Sequence, residues 1–124
     1  PLWIPAVEAS WSKNTSTAPD EWSADNPAFG QCAVTALVVQ DILGGELLRC
    51  MVGSVSHYWN RLIDGTEIDL TASQFDFIPD RRGAELRGRD YVLSFEETQR
   101  RYSLLSNAVQ SYLDTNSTRN LHEH

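Results

Sequence analysis

The chain has 124 residues, 41% of them hydrophobic and 22% charged, which predicts one globular domain able to bury a core without disulfide or metal staples. No stretch is long and apolar enough to cross a bilayer, so a membrane-spanning role is excluded. A net charge of -7 repels phosphate backbones and excludes nucleic acid as an expected partner, because such binding needs lysines and arginines that release counterions.

The amino end, P-L-W-I-P-A-V-E, has neither a basic leader nor a long apolar core, and a cytoplasmic location is expected. Two cysteines are too few for a disulfide framework and would stay reduced there. Pro5 to Trp11 suits a short helix, since proline at a first helical position loses no hydrogen bond. Residues 12 to 30, rich in Ser, Thr, Asn, Asp and Pro, read as a long irregular segment that wraps toward a site. Residues 31 to 43, Q-C-A-V-T-A-L-V-V-Q-D-I-L, are apolar nearly all round before Gly44-Gly45. The valines would also suit a strand, but Ala33, Ala36 and the glycine stop favour a buried helix.

Beyond Gly45 the periodicity changes. Residues 46 to 53, 55 to 63 and 66 to 71 carry the β-branched and aromatic content of an antiparallel sheet, with Asp64-Gly65 marking a hairpin. Residues 74 to 93 read as loop with another short strand, and the basic run R-R-G-A-E-L-R-G-R within it as a solvated surface. Ser94 would open a helix, with Glu97 in capping-box position. Tyr102, Leu105, Val109, Tyr112 and Leu113 then recur at core-facing spacing. The polar stretch from about 115 to 124 is expected to fray. No periodic seam decides an oligomeric state.

The helix start at Cys32 is where chemistry is expected. Unpaired N–H groups and the positive end of a helix dipole stabilise a thiolate. Cys50, mid-strand, is expected to be an inert packing residue. A thiol nucleophile needs an imidazole to take and return its proton, and the imidazole needs an orienting group. His57 is the histidine in the body of the chain, and Asp69 lies on the expected partner strand. A two-residue turn at 64–65 would put these two on opposite faces of the sheet. A three-residue turn at 63–65 pairs residue 59 with 69 and residue 57 with 71, so that His57 and Asp69 share a face as a cross-strand diagonal. That register is predicted, with Trp59 beside the pair as a candidate groove residue and Tyr58, Leu62, Ile68 and Leu70 on the other face.

The blocks G-Q-C-A-V-T-A-L, H-Y-W-N and D-L-T resemble the three signature segments of transglutaminase-like proteins. The longer run W-S-A-D-N-P-A-F-G-Q-C-A-V-T-A-L-V-V-Q-D, followed by G-G-E, H-Y-W-N and D-L-T-A-S-Q-F, resembles the small bacterial YunG-like family. The wider resemblance implies an α+β, papain-like fold with Cys32 as nucleophile, His57 as acid/base and Asp69 as orienter. Animal transglutaminases carry an aromatic residue where this chain has Ala33, so hydrolysis or deamidation is expected before cross-linking. The expected activity is thiol-dependent acyl transfer on a peptide or small amide, of hydrolase, deamidase or peptidase type. The backbone N–H of Cys32 is one candidate oxyanion donor, and the second is the Gln31 side chain or the Trp22 indole. Trp22 could equally be a lid over the core. Asp64 is needed in its turn, only one histidine is near, and no glycine-rich loop precedes a helix, so no metal or other cofactor is expected. The alternative is a non-enzymatic scaffold of the same fold that docks a partner through Trp3, Trp11 and Trp22.

Overall fold

The computed structural model describes residues 1–122. The amino end forms α1 (Trp3–Ser10), two residues ahead of the expected start. Pro5 is accommodated because the whole first turn lacks internal acceptors for its N–H groups. The following segment is irregular but tied down. Ser12 caps the short 3-10 turn Lys13–Thr15, Thr17 N–H donates to the Gly30 carbonyl at 3.0 Å, and the Ser16 hydroxyl donates to the Phe29 carbonyl at 2.9 Å.

The apolar run forms α2 (Cys32–Leu43) and buries residues on nearly every face: Cys32, Val34, Thr35, Ala36, Leu37, Val38 and Val39. Two surfaces cover it. On one side Val34 and Val38 join Ala6, Val7 and Trp11 with Leu105 and Val109; on the other, Ala36 and Leu37 pack on Leu47, Tyr58 and Val92. Trp11 is 7% exposed and donates its indole N–H to the Thr35 hydroxyl at 2.9 Å, and Trp3 packs against the same cluster. Trp11 thus braces α2 from within the core, while Trp3 packs half-buried at its side of the cluster.

Four strands form one antiparallel sheet in the order β3-β2-β1-β4. They are β1 (Glu46–Val52), β2 (Val55–Arg61), β3 (Glu67–Ile68) and β4 (Glu85–Arg87). β2 pairs with β3 through Asn60 with Ile68 and Arg61 with Glu67, and Leu62 N–H donates to the Thr66 carbonyl at 2.7 Å. This is the register of the three-residue turn. β3 is shorter than expected, because the chain leaves the sheet at Asp69 and turns into the 3-10 segment Ala72–Gln74. One sheet face, with Leu47, Tyr58 and Asn60, meets α2; the Asn60 amide donates to the Ala36 carbonyl at 2.9 Å. The other face carries Leu48, Cys50 and Trp59. Residues 75–81 lie over that second face, with Phe75 against His57 and Arg81 above Trp59.

Two helices close the fold, α3 (Arg89–Leu93) and α4 (Glu96–His122). The capping box expected at Ser94 does not form. α3 already occupies the preceding residues, and the Ser94 hydroxyl donates back to the Tyr91 carbonyl at 2.6 Å. Leu105 and Val109 are buried, with Tyr102, Tyr112 and Leu113 packed beside them. The backbone stays helical through the polar stretch as far as His122; residues 123 and 124, the end of the expected frayed tail, lie outside the described residues. No helix among the described residues is long and apolar enough to cross a membrane.

Gly30 sets the approach to α2. Its φ is +72°, and a Cβ there would lie 2.3 Å from Ser16 Oγ and 2.9 Å from Thr17 N. Gly30→Ala should thus combine left-handed strain with a clash against backbone, for a loss of about 1–3 kcal/mol. A lowered urea midpoint at unchanged slope is the expected result, and an unaltered midpoint would refute it.

Candidate active site

Cys32 is the first residue of α2, delivered there by the turn at Gly30 and Gln31. The first internal bond of the helix runs from Thr35 N–H to the Gln31 carbonyl at 3.0 Å. The N–H groups of Cys32, Ala33 and Val34 therefore have no acceptor within the helix and point out of its tip. The Cys32 side chain is 8% exposed, its thiol donates to the Ser56 carbonyl at 3.6 Å, and it lines a cavity of about 360 Å³.

His57 is wholly buried on β2. Its Nε2 lies 2.6 Å from Asp69 Oδ2, the diagonal that the three-residue turn creates. The ring stacks on Trp59, with centroids 5.7 Å apart, and meets the edge of Phe75 at 5.0 Å. Asp69 is held from both ends. Oδ1 accepts from the Thr71 N–H at 3.2 Å and the Thr71 hydroxyl at 3.3 Å, and Oδ2 also accepts from Arg81 Nη2 at 2.6 Å. A carboxylate this enclosed is tolerable because each oxygen has donors.

Burial is the largest single influence on His57 and opposes its protonation; the hydrogen bond to Asp69 is the next largest and favours it. The nearby Cys32 sulfur acts in the same sense as Asp69, and only together, with the charges of both partners, do these groups overcome burial and raise the imidazole pKa from 6.5 to about 9. Nδ1, the nitrogen not used by Asp69, is buried and has no hydrogen-bond partner within ordinary limits. The Cys32 sulfur is near enough to the ring to favour its protonation, and it makes no ordinary hydrogen bond to Nδ1. β3 pairs only with Asn60 and Arg61, so on the edge away from β1 the Ser56 end of β2 has no strand neighbour. The tip of α2 occupies that open edge.

A family model described as "YunG protein" matches residues 4–114. The chain belongs to the YunG family. It is also 39% identical over 69 residues to "Uncharacterized protein YunG" of Bacillus subtilis (strain 168), an alignment that covers 56% of each chain. The chain thus matches little more than half the length of that relative. No solved structure matches it.

Among the YunG-family residues singled out from sequence, Cys32, His57 and Asp69 come together and three others do not reach the cavity. The Gln31 amide donates to the Ser12 carbonyl at 2.9 Å from a fully buried side chain. The Trp22 indole donates to the Pro27 carbonyl at 3.0 Å. Trp59 is 1% exposed, with its indole on Glu67 Oε1 at 2.6 Å, because it lies on the sheet face that residues 75–81 cover. It supports the imidazole from behind and lines no groove. Cys50 pairs directly with His57 in the β1–β2 register; it is buried, and desolvation raises its pKa.

Sequence reasoning passed over Gln74, Arg49 and Arg101, which line the cavity with Cys32. Gly30 N–H donates to Gln74 Oε1 at 3.4 Å, and the buried Gln74 Nε2 has no acceptor. Its only signal was its place in D-L-T-A-S-Q-F, since an irregular segment has no periodicity that points a side chain. Among the described residues no group of three or more His, Cys, Asp or Glu side chains is placed to hold a metal ion.

The raised His57 pKa has a consequence for stability. Its contribution is fully present below pH 6.5 and is lost as pH rises through about 9. Urea midpoints of the native protein should accordingly fall between pH 6.5 and 9. Asp69→Asn should flatten that slope while lowering stability at pH 6.5, because the charged partner is gone. The Asp69 charge also raises the Cys50 pKa, so both proteins carry Cys50→Ala, and the difference in slope then reports the histidine. Parallel slopes would mean that the carboxylate does not hold the proton on the ring.

Proposed function

We propose that this protein is a thiol-dependent acyl-transfer enzyme acting on an amide, with a papain-like arrangement of Cys32, His57 and Asp69 and with water as the simplest acceptor. The observation that carries this reading is the asymmetry of the His57 ring: Nε2 is held by a clamped carboxylate at 2.6 Å, while Nδ1 is buried without a partner and the helix-tip Cys32, at a cavity wall, is near enough to raise the imidazole pKa. A merely structural histidine in a dry interior would be expected to satisfy both nitrogens.

In the proposed reaction Cys32 Sγ attacks the amide carbonyl carbon, an S–C bond forms, and the thiol proton is held on His57. The carbonyl oxygen takes up the negative charge and accepts from the Cys32 N–H and from Gln74 Nε2, the two free donors beside the sulfur. His57 then gives its proton to the leaving nitrogen as the C–N bond breaks. Water attacks the thioester, loses a proton to His57, and releases the carboxylic acid as the S–C bond breaks. Asp69 touches no reacting atom; it holds the ring orientation and favours the imidazolium. Arg81 in turn positions Asp69.

The complete burial of His57 favours a second reading, a binding protein that keeps the fold without the reaction. Alkylation separates the two. At pH 7 iodoacetamide should label Cys32 far faster than the buried Cys50, with sites located by mass. His57→Ala should slow Cys32 labelling by about 10²-fold and Asp69→Asn by a smaller factor. Equally slow labelling of both thiols, or indifference to both substitutions, would leave the binding protein as the surviving reading.

A further inference from the structure

Eight arginines have described side chains, and six of them pair with a carboxylate: Arg61 with Glu46, Arg81 with Asp69, Arg82 with Asp80, Arg87 with Glu85, Arg89 with Asp41 and Arg100 with Glu97. Arg49 and Arg101 do not. Both line the cavity beside Cys32, and no Asp or Glu lines it. In a chain of net charge -7 this cavity wall has the opposite sign to the molecule as a whole.

Arg101 is 9% exposed. Its Nη2 donates to the Thr98 hydroxyl at 3.3 Å, and its buried Nε has no acceptor. Arg49 uses Nε and Nη2 on the Ser56 hydroxyl, at 3.0 and 2.8 Å. A guanidinium buried without a counter-charge is costly. It is the kind of group that a bound anion satisfies, and the planar fork suits the two oxygens of a carboxylate. Burial lowers the Arg101 pKa and Arg100 adds to that, while Glu97, outside ion-pair distance, and the Cys32 sulfur act in the opposite sense; the guanidinium and the thiol line the same cavity. Ala33, Val55, Tyr58, Val92 and Phe95 provide apolar walls between the charged groups. A volume of about 360 Å³ lies at the small end of ligand sites and admits a small molecule only.

We propose that Arg101 and Arg49 form a carboxylate subsite, so that the substrate is a small amide that also carries a carboxylate, its acid held by the arginines and its acyl carbon placed at Cys32. This rests on the acyl-transfer reading and adds a substrate class to it.

Two alkylating agents of nearly equal size test both levels. With iodoacetate or iodoacetamide the same S–C bond forms and iodide leaves, but only iodoacetate carries the anion. The quantity to measure is the ratio of their rate constants at Cys32, divided by the same ratio for free glutathione. A charge-assisted contact predicts a normalised ratio of about ten or more. Arg101→Gln and Arg49→Gln should each reduce it, and Arg101→Lys should retain part of it. If Arg101→Gln does not fold, Arg49→Gln and Arg101→Lys still read the preference. A normalised ratio near one with brisk iodoacetamide labelling overturns the subsite and leaves the acyl-transfer reading standing. A high ratio that survives both glutamine substitutions also overturns it, since the charge attracting the anion would then belong to His57. Failure of Cys32 to react with either reagent defeats the underlying reading itself.

Discussion

The arrangement of this molecule depends on one short bond, between a wholly buried imidazole and a carboxylate one residue beyond the end of β3. Neither group is tolerable in that interior alone. A lone carboxylate would face a desolvation penalty of several kcal/mol, and a lone imidazolium would lose its proton. Together, with Thr71 and Arg81 filling the remaining acceptor positions of Asp69, they form a polar unit beside Trp59 and Phe75 in which Nδ1 of the ring stays open. The hairpin register makes the bond possible: one residue fewer in the turn would move every side chain of the returning strand to the other face.

The sulfur reaches this unit from the far side of the sheet. Cys32 belongs with Ala36, Leu37 and Tyr58 on the face that α2 covers, whereas Cys50 and Trp59 belong to the opposite face. The edge of β2 away from β1 is open beyond Asn60 and Arg61. Because β3 stops after pairing with those two residues, the tip of α2 can dock at the Ser56 carbonyl, near enough for the thiol to influence His57. A longer β3 would occupy that edge and separate the thiol from the ring. The short strand is thus a condition for the constellation.

Charge is distributed with the same economy. Acidic residues outnumber basic ones, 17 to 10, and six arginines are neutralised by carboxylates near them. Asp69 accepts from both His57 and Arg81 and lies off the cavity wall, so no acid opposes the two guanidinium groups that face the open space beside Cys32. Against a net negative background this wall is locally positive. The long segment before α2 also reaches this wall, through Thr17 and Gly30.

Sequence by itself determined the elements whose cause is local. The all-round apolar run of residues 31 to 43, ending in two glycines, favoured a covered helix over a strand and placed Cys32 in its first turn, where the N–H groups are open; the helix begins at Cys32 itself. The choice between turns of two and three residues followed from requiring polar and apolar side chains to segregate, and the observed pairing of Asn60 with Ile68 agrees with it. Cys32, His57 and Asp69 were legible because helix tip and strand parity are short-range properties. Tertiary structure decided what depends on neighbours distant in the chain. Trp11 and Trp3 are spent on packing, and Gln31 and Trp22 give their N–H groups to nearby carbonyls. Gln74 and Arg101 come from an irregular turn and from a helix read only for its apolar stripe, so nothing local distinguished them from solvated residues. Their burial arises only when residues far apart in sequence close around the same cavity, and a side chain's solvation is fixed by that closure and not by its adjacent residues.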